Sequence, residues 1–145
     1  MANADLASNP LLQLSTLPFG AFAFDKVEKK HYRPALDEGI RIANAAFDKI
    51  RKDTSKPTFE NTILSIETAP EVVNHIGTIF FNLVGTNSDE EMQAITKEIS
   101  PILASFSSDL LLDEAIFKRV KAVWDSRAEL GLNGEELRLT EKTYR

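Results

Sequence analysis

Apolar residues recur along this chain at alternating steps of three and four, most regularly between Phe24 and Lys52. Leu36, Ile40, Ala43, Phe47 and Ile50 stand at steps of 4, 3, 4 and 3, which stacks them on one side of a 3.6-residue helix. Asp37, Glu38, Arg41, Asn44, Asp48, Arg51 and Lys52 fall opposite. The Asp37–Arg41 and Asp48–Lys52 spacings predict surface ion pairs. Pro34 marks the expected start: its fixed φ and missing N–H suit a first turn, and Arg33 before it is steered away from helical geometry. Asp25 and Glu28 are candidates to cap a short turn just upstream.

The same period continues to the last residues. Thr58 is an expected N-cap for a helix that points Phe59, Ile63 and Ile66 inward. Pro70 should end or kink it and enter the first turn of the next helix. There Val72, Ile76, Ile79 and Leu83 form one stripe and Val73, Phe80 and Val84 another, a width that predicts burial on most sides. Gly85 to Asn87 reads as a turn, and Ser88 with Glu91 as a capping box for a helix bearing Met92, Ile95, Ile99, Ile102, Phe106 and Leu110. Pro101 inside that run predicts a bend, because the stripe keeps its phase across it. Asp113 should cap a helix holding Ile116, Phe117, Val120, Val123 and Trp124, stopped by a left-handed Gly131. Asn133 and Glu136 open a last helix in which Leu137 and Leu139 still lack partners, as though the polypeptide continued.

No strand-like alternation of useful length and no internal repeat occurs. The expected fold is therefore all-α, an antiparallel bundle of about five to six helices over residues 17–145. Met1 to Thr16 reads as a flexible lead-in. Leu17 to Phe24 (LPFGAFAF) reads as an extended arm, since Pro18 and Gly20 oppose a helix while the phenylalanines ask for burial.

Composition narrows the function. With 145 residues, 43% of them hydrophobic, one domain can bury about 70% of the surface its unfolded chain exposes. The chain has no cysteine, which removes disulfides, thiolate metal sites and thiol nucleophiles from consideration. Its net charge of -5 and pI near 5.1 argue against broad phosphate-backbone binding, although Lys26, Lys29, Lys30, His31 and Arg33 form a local basic group. No stretch reaches the roughly 20 apolar residues of a membrane span. The first residues carry neither a basic start nor an apolar block, so no signal peptide is expected. Neither nucleic acid nor membrane is an expected partner.

Candidate chemistry is sparse. The two histidines, His31 and His75, stand in neither H-E-x-x-H nor a paired arrangement, so zinc has no evident ligand set. Glu28 and His31 do form one Glu-x-x-His unit, which di-iron bundles use twice together with two further glutamates. Asp89, Glu90 and Glu91 suit a hard cation, and suit equally the first turn of a helix, whose dipole favours negative charge. No phosphate loop and no triad spacing occurs. Catalytic, cofactor-binding and metal residues are all expected to be absent.

Five ordered words carry a resemblance: FDKVEKKHYRPALDEG (Phe24 to Gly39), PTFENTILSIE (Pro57 to Glu67), IFFNLVGTNSDEEMQAI (Ile79 to Ile95), EISPILASFSSDLLLDEAIFKRVKAVW (Glu98 to Trp124) and LGLNGEELRLTEKTYR (Leu130 to Arg145). In this order they resemble the amino-terminal part of the thimet-oligopeptidase-like zinc metallopeptidases, nearest to the bacterial peptidyl-dipeptidase (dipeptidyl carboxypeptidase) branch. Pro70 is a local departure from the pattern expected of relatives. The resemblance implies a helical parent enzyme that hydrolyses oligopeptides and releases carboxyl-terminal dipeptides. It also implies a deep channel between two lobes, with zinc at its floor. The family's zinc ligands lie on H-E-x-x-H and a downstream glutamate, and no position of this sequence matches them. The segment would be a non-catalytic part of the channel wall whose partner is the carboxyl-terminal catalytic domain; cytoplasm and periplasm both stay open as its compartment. The rival reading is a free-standing helical interaction module that binds a partner helix or dimerises.

Overall fold

The computed structural model describes residues 6–13, 22–86 and 89–145. Parts of the expected lead-in (residues 1–5 and 14–16), the Leu17 to Ala21 part of the arm, Asn87 of the turn and the Ser88 cap lie outside the described residues.

Helix α1, Tyr32–Lys52, buries Leu36, Ala43, Phe47 and Ile50 as the spacing requires and adds Tyr32, Ala35 and Gly39. Ile40 is half-buried. Pro34 sits in the first turn, where its missing N–H costs no intrahelical bond, but Arg33 before it is already helical, against the steric preference that a proline imposes on its predecessor. The expected Asp37–Arg41 and Asp48–Lys52 pairs are replaced by Arg33–Asp37, Glu38–Arg41 and Asp48–Arg51. Guanidinium forks capture the nearest carboxylate, and Arg33 grips both oxygens of Asp37 at 2.9 Å.

Helix α2 begins as a π-helical turn, Phe59–Leu64, and continues as an α-helical turn, Ser65–Thr68. Thr58 caps it as expected. Its hydroxyl accepts the Asn61 N–H at 3.2 Å and its own N–H donates to the Asn61 side chain at 2.8 Å. The wider winding was not foreseen. Ser65 stabilises it by donating its hydroxyl to the Glu60 carbonyl five residues back, at 2.7 Å. Pro70 separates α2 from α3, Glu71–Thr86, and its carbonyl accepts the Asn74 N–H at 2.8 Å. Gly85, expected in a turn, lies in the last turn of α3.

Helix α4, Glu90–Leu111, contains Pro101 without interruption. Its N-cap is Asp89, whose carboxylate accepts the Met92 N–H at 2.8 Å. Asp113 caps α5, Glu114–Asp125, by accepting from Ala115 and Ile116 at 3.0 Å each. Helix α5 ends six residues before Gly131, which has φ +64°. The left-handed glycine therefore shapes the turn into α6, Gly134–Tyr144, instead of stopping α5. The Asn133 and Glu136 capping box is formed as expected.

The described residues are helical with no strand, as the period predicts. Tyr32 meets Phe80 at a ring separation of 5.0 Å, and a β-carbon on Gly39 would lie 3.2 Å from Val72. The start of α1 thus lies beside the end of α3, and the two run antiparallel. Helix α4 follows α1 in the same direction, through Arg33–Glu98, Phe47–Phe106 and Arg51–Asp113. Helices α5 and α6 close over α2. Tyr144 of α6 lies stacked between Phe117 and Trp124 of α5, and the Arg127 guanidinium sits 4.0 Å above the Trp124 ring.

Within the expected lead-in, Pro10–Leu12 forms a 3-10 turn and Leu11 is 2% exposed. Asn9 ties it down by donating to the His31 carbonyl at 2.9 Å. This stretch belongs to the core.

The Tyr32 hydroxyl is buried with no hydrogen-bond partner among the described residues, and burial pushes its pKa above the ordinary 10.0. An unsatisfied buried hydroxyl costs about 1–3 kcal/mol, so Tyr32→Phe should raise stability by about 1 kcal/mol. Urea unfolding midpoints measure this, and a lower midpoint for the variant would refute it.

Candidate functional site

The residues with chemical potential are engaged in structural work. His31 Nδ1 accepts the Glu28 N–H at 2.9 Å, so the Glu-x-x-His unit is a cap on the 3-10 turn Lys29–His31. His75 is exposed on α3 and takes the edge of Phe22 at 5.7 Å. The two imidazoles sit on different elements. Among the described residues no group of three or more His, Asp or Glu is arranged to hold a metal ion. The zinc implied by the resemblance finds no such donor set among the described residues.

The basic group and the acidic triplet, separate features in sequence, meet on the surface through Lys29. Lys29 bonds to Asp89 at 2.6 Å and to Glu91 at 2.7 Å, and Lys30 to Glu28 at 2.9 Å. Arg33 reaches both Asp37 and Glu98. Asp89 and then Glu91 push the Lys29 pKa up, while Lys29 and the Met92 N–H hold that of Asp89 down. A phosphate backbone would find these cations already neutralised.

A third cluster has no marker in the sequence. Arg119 of α5 is 10% exposed in its side chain. Its guanidinium donates to the Asp53 carbonyl at 2.5 Å, the Ser55 carbonyl at 3.2 Å, the Asp53 carboxylate at 3.0 Å and the Asn61 side chain at 3.1 Å. One side chain thereby fixes the whole α1–α2 connection against α5. The nearby Ser55 groups, side chain before backbone, hold the Asp53 pKa below 3.8.

Arg51 performs the matching task at the other corner, donating to Asp113 at 2.5 Å. Burial works against the charged Asp113, but the Ile116 amide and then the Arg51 guanidinium outweigh it and hold its pKa below 3.8. A depressed folded pKa means stability that is present above the unfolded pKa and lost as pH falls through the folded value. Acidification from pH 5 to about 2 should therefore cost the native chain more stability than it costs Asp113→Asn, and the two unfolding curves should converge at low pH. Parallel curves in guanidinium titrations across that range would contradict the assignment.

Another feature is an open groove of about 810 Å³ between α3 and α4. Gly77, Phe81, Leu103, Phe106 and Leu111 line it, with Pro70 at one end. Phe81 is 47% and Leu111 82% exposed, and Leu112 beside it is 80% exposed. The period places Ile102, Phe106 and Leu110 on the same face of α4 as the buried Ile99, yet these three are only half-buried. No carboxylate, imidazole or amine lines the groove, so it suits apolar surface and not bond-making chemistry. No described helix is long and apolar enough to cross a membrane.

No family model matches the chain. It is 38% identical over 136 residues to the dipeptidyl carboxypeptidase of Salmonella typhimurium, covering 94% of this chain and 20% of that protein. To the dipeptidyl carboxypeptidase of Escherichia coli it is 38% identical over 133 residues, 92% of this chain and 20% of that protein. The chain thus spans about a fifth of the length of the curated relatives it matches. The resemblance carried by the five ordered words is borne out over nearly the whole chain.

Proposed function

We propose that this chain, a relative of the dipeptidyl carboxypeptidases, is the non-catalytic amino-terminal helical segment of a longer zinc-dependent peptidyl-dipeptidase. The longer polypeptide hydrolyses oligopeptides and releases dipeptides from their carboxyl ends. This segment forms part of the wall of its substrate channel, and the carboxyl-terminal catalytic domain of the same polypeptide is its partner. The observation that carries the reading is the 38% identity maintained over 94% of the chain against proteins of which it spans only 20%. Support also comes from the residues themselves: neither histidine stands in a zinc-binding pattern, and His31 is committed to a backbone N–H. Zinc, which in such an enzyme would activate the attacking water, belongs to sequence outside this chain.

A wall selects by shape. A rigid helical layer with a close-packed core excludes folded substrates and admits extended peptides without contributing a reacting group. Deleting the segment from the longer enzyme should accordingly change the range of peptide lengths accepted while leaving zinc content at one per molecule. Purified by itself, the 145-residue chain should bind no stoichiometric zinc and release no dipeptide. Zinc at one equivalent, or dipeptide release by the chain alone, would overturn the reading. A reading frame that stops at Arg145 would favour the free-standing interaction module instead.

A further inference from the structure

We propose that the groove between α3 and α4 is the face by which this segment docks on the rest of its polypeptide, and that its occupant is an apolar-faced, nearly uncharged helix from outside residues 1–145. The proposal rests on the reading of the chain as part of a longer peptidyl-dipeptidase.

Three observations converge on it. The first is the distribution of charge. Residues 72–86 and 99–111, which make up most of α3 and the second half of α4, contain no Lys, Arg or Glu and a single acidic residue, Asp109. In contrast, eight of the 21 residues of α1 and five of the 11 of α6 are charged. Helix surfaces that face water carry charged side chains; surfaces depleted in charge and supplied with large apolar anchors are those that partners cover.

The second observation is shape. Phe81 and Leu111 project from the two rims as half-exposed or nearly fully exposed apolar side chains. Between them the floor is low: a β-carbon built on Gly77 meets nothing within 4 Å. A groove with apolar rims and a glycine floor accepts a helix laid along it, whose own stripe at i, i+3 or i+4, and i+7 fills the space beside the anchors. The polar groups facing the groove, Asn74, Thr78, Asn82 and Ser107, are neutral, so a charged helix face would be desolvated there with no compensation.

The third observation is length. The relatives are about five times as long as this chain, so an intramolecular helix is available at high effective concentration, whereas a second copy must be recruited from solution.

The test uses thiol accessibility, since the chain itself has no cysteine. Ser107→Cys and Gly77→Cys are made in the full-length polypeptide, with Asn44→Cys on the exposed side of α1 as the control. Each is labelled with a maleimide before and after denaturation, and the labelled peptides are quantified by mass spectrometry. Docking predicts that both groove thiols react at least about tenfold more slowly in the native protein than the Asn44→Cys control, because a covered site reacts only through local opening. A short bifunctional crosslinker on Ser107→Cys should join it to a helix of the same molecule beyond Arg145. Equal labelling of groove and control thiols would overturn the proposal, as would protection that disappears on dilution together with crosslinks between two copies. An active longer peptidase whose groove labels freely would refute the docking alone, whereas a polypeptide without peptidase activity would refute the functional reading beneath it.

Discussion

Arg119→Ala is expected to lower the unfolding free energy by about 3 kcal/mol, because truncating one partner of a largely buried, multiply bonded charge leaves the others unpaired. The Arg119 side chain is 10% exposed and donates to two backbone carbonyls, a carboxylate and an amide oxygen. Those acceptors belong to Asp53, Ser55 and Asn61, so the variant unpins the connection between α1 and α2 as well as the capping residue of α2. For a chain of this size the loss corresponds to a fall in Tm of roughly 10 °C. Arg119→Lys should recover less than half of it, since a single ammonium cannot imitate a planar fork that spans several acceptors. Calorimetry on the three proteins decides the matter: a change below about 1 kcal/mol for Arg119→Ala would mean that water replaces the guanidinium without penalty.

Phe80→Ala should cost about 4 kcal/mol, within the range for removing a fully enclosed phenylalanine. Its side chain is 0% exposed and packs edge-on against Tyr32 at 5.0 Å, at the place where the first turn of α1 meets the last turns of α3. The cavity would open where two rigid helices hold each other, so little collapse can offset it. Phe81→Ala, one residue along at 47% exposure, should cost the isolated chain no more than about 1.5 kcal/mol, because half its surface is in water in either state. Denaturant titrations with unchanged m-values would make the comparison clean. A reversed order of the two variants would mean that the core has been assigned to the wrong side of α3.

These two neighbours illustrate what the one-dimensional pattern conveys. Phe80 was legible as core because it shares a stripe with Val73 and Val84. The α4 stripe was legible in phase but not in depth: Ile99 is buried, whereas Phe106 and Leu110 are half-covered. Periodicity tells which residues share a face and is silent on what the face meets. For the same reason the docking groove was not foreseen, although its charge depletion was present in the sequence and would have been the signal to follow. The polar chemistry divides in the same way. Caps such as Thr58, Asp113 and Asn133 act within four residues and were read correctly. The Arg119 clamp, the Lys29 bridge to Asp89 and the Arg51 bridge to Asp113 join residues 60 or more apart, and no spacing rule reaches that far.

The sequence by itself determined that the chain is helical, where most of its helices begin, which residues share a helix face, and that its histidines do not form a zinc motif. Those properties depend on local geometry, on hydrogen-bonding groups a few residues apart and on the chemistry of the side chains present. Tertiary structure alone decided that the turn at Leu11 is part of the core, that α2 opens as a π-turn, that Arg119 fastens the α1–α2 connection, and that one apolar face is left open. Each of these depends on which surfaces are brought against one another, and chain folding fixes that only when distant residues meet.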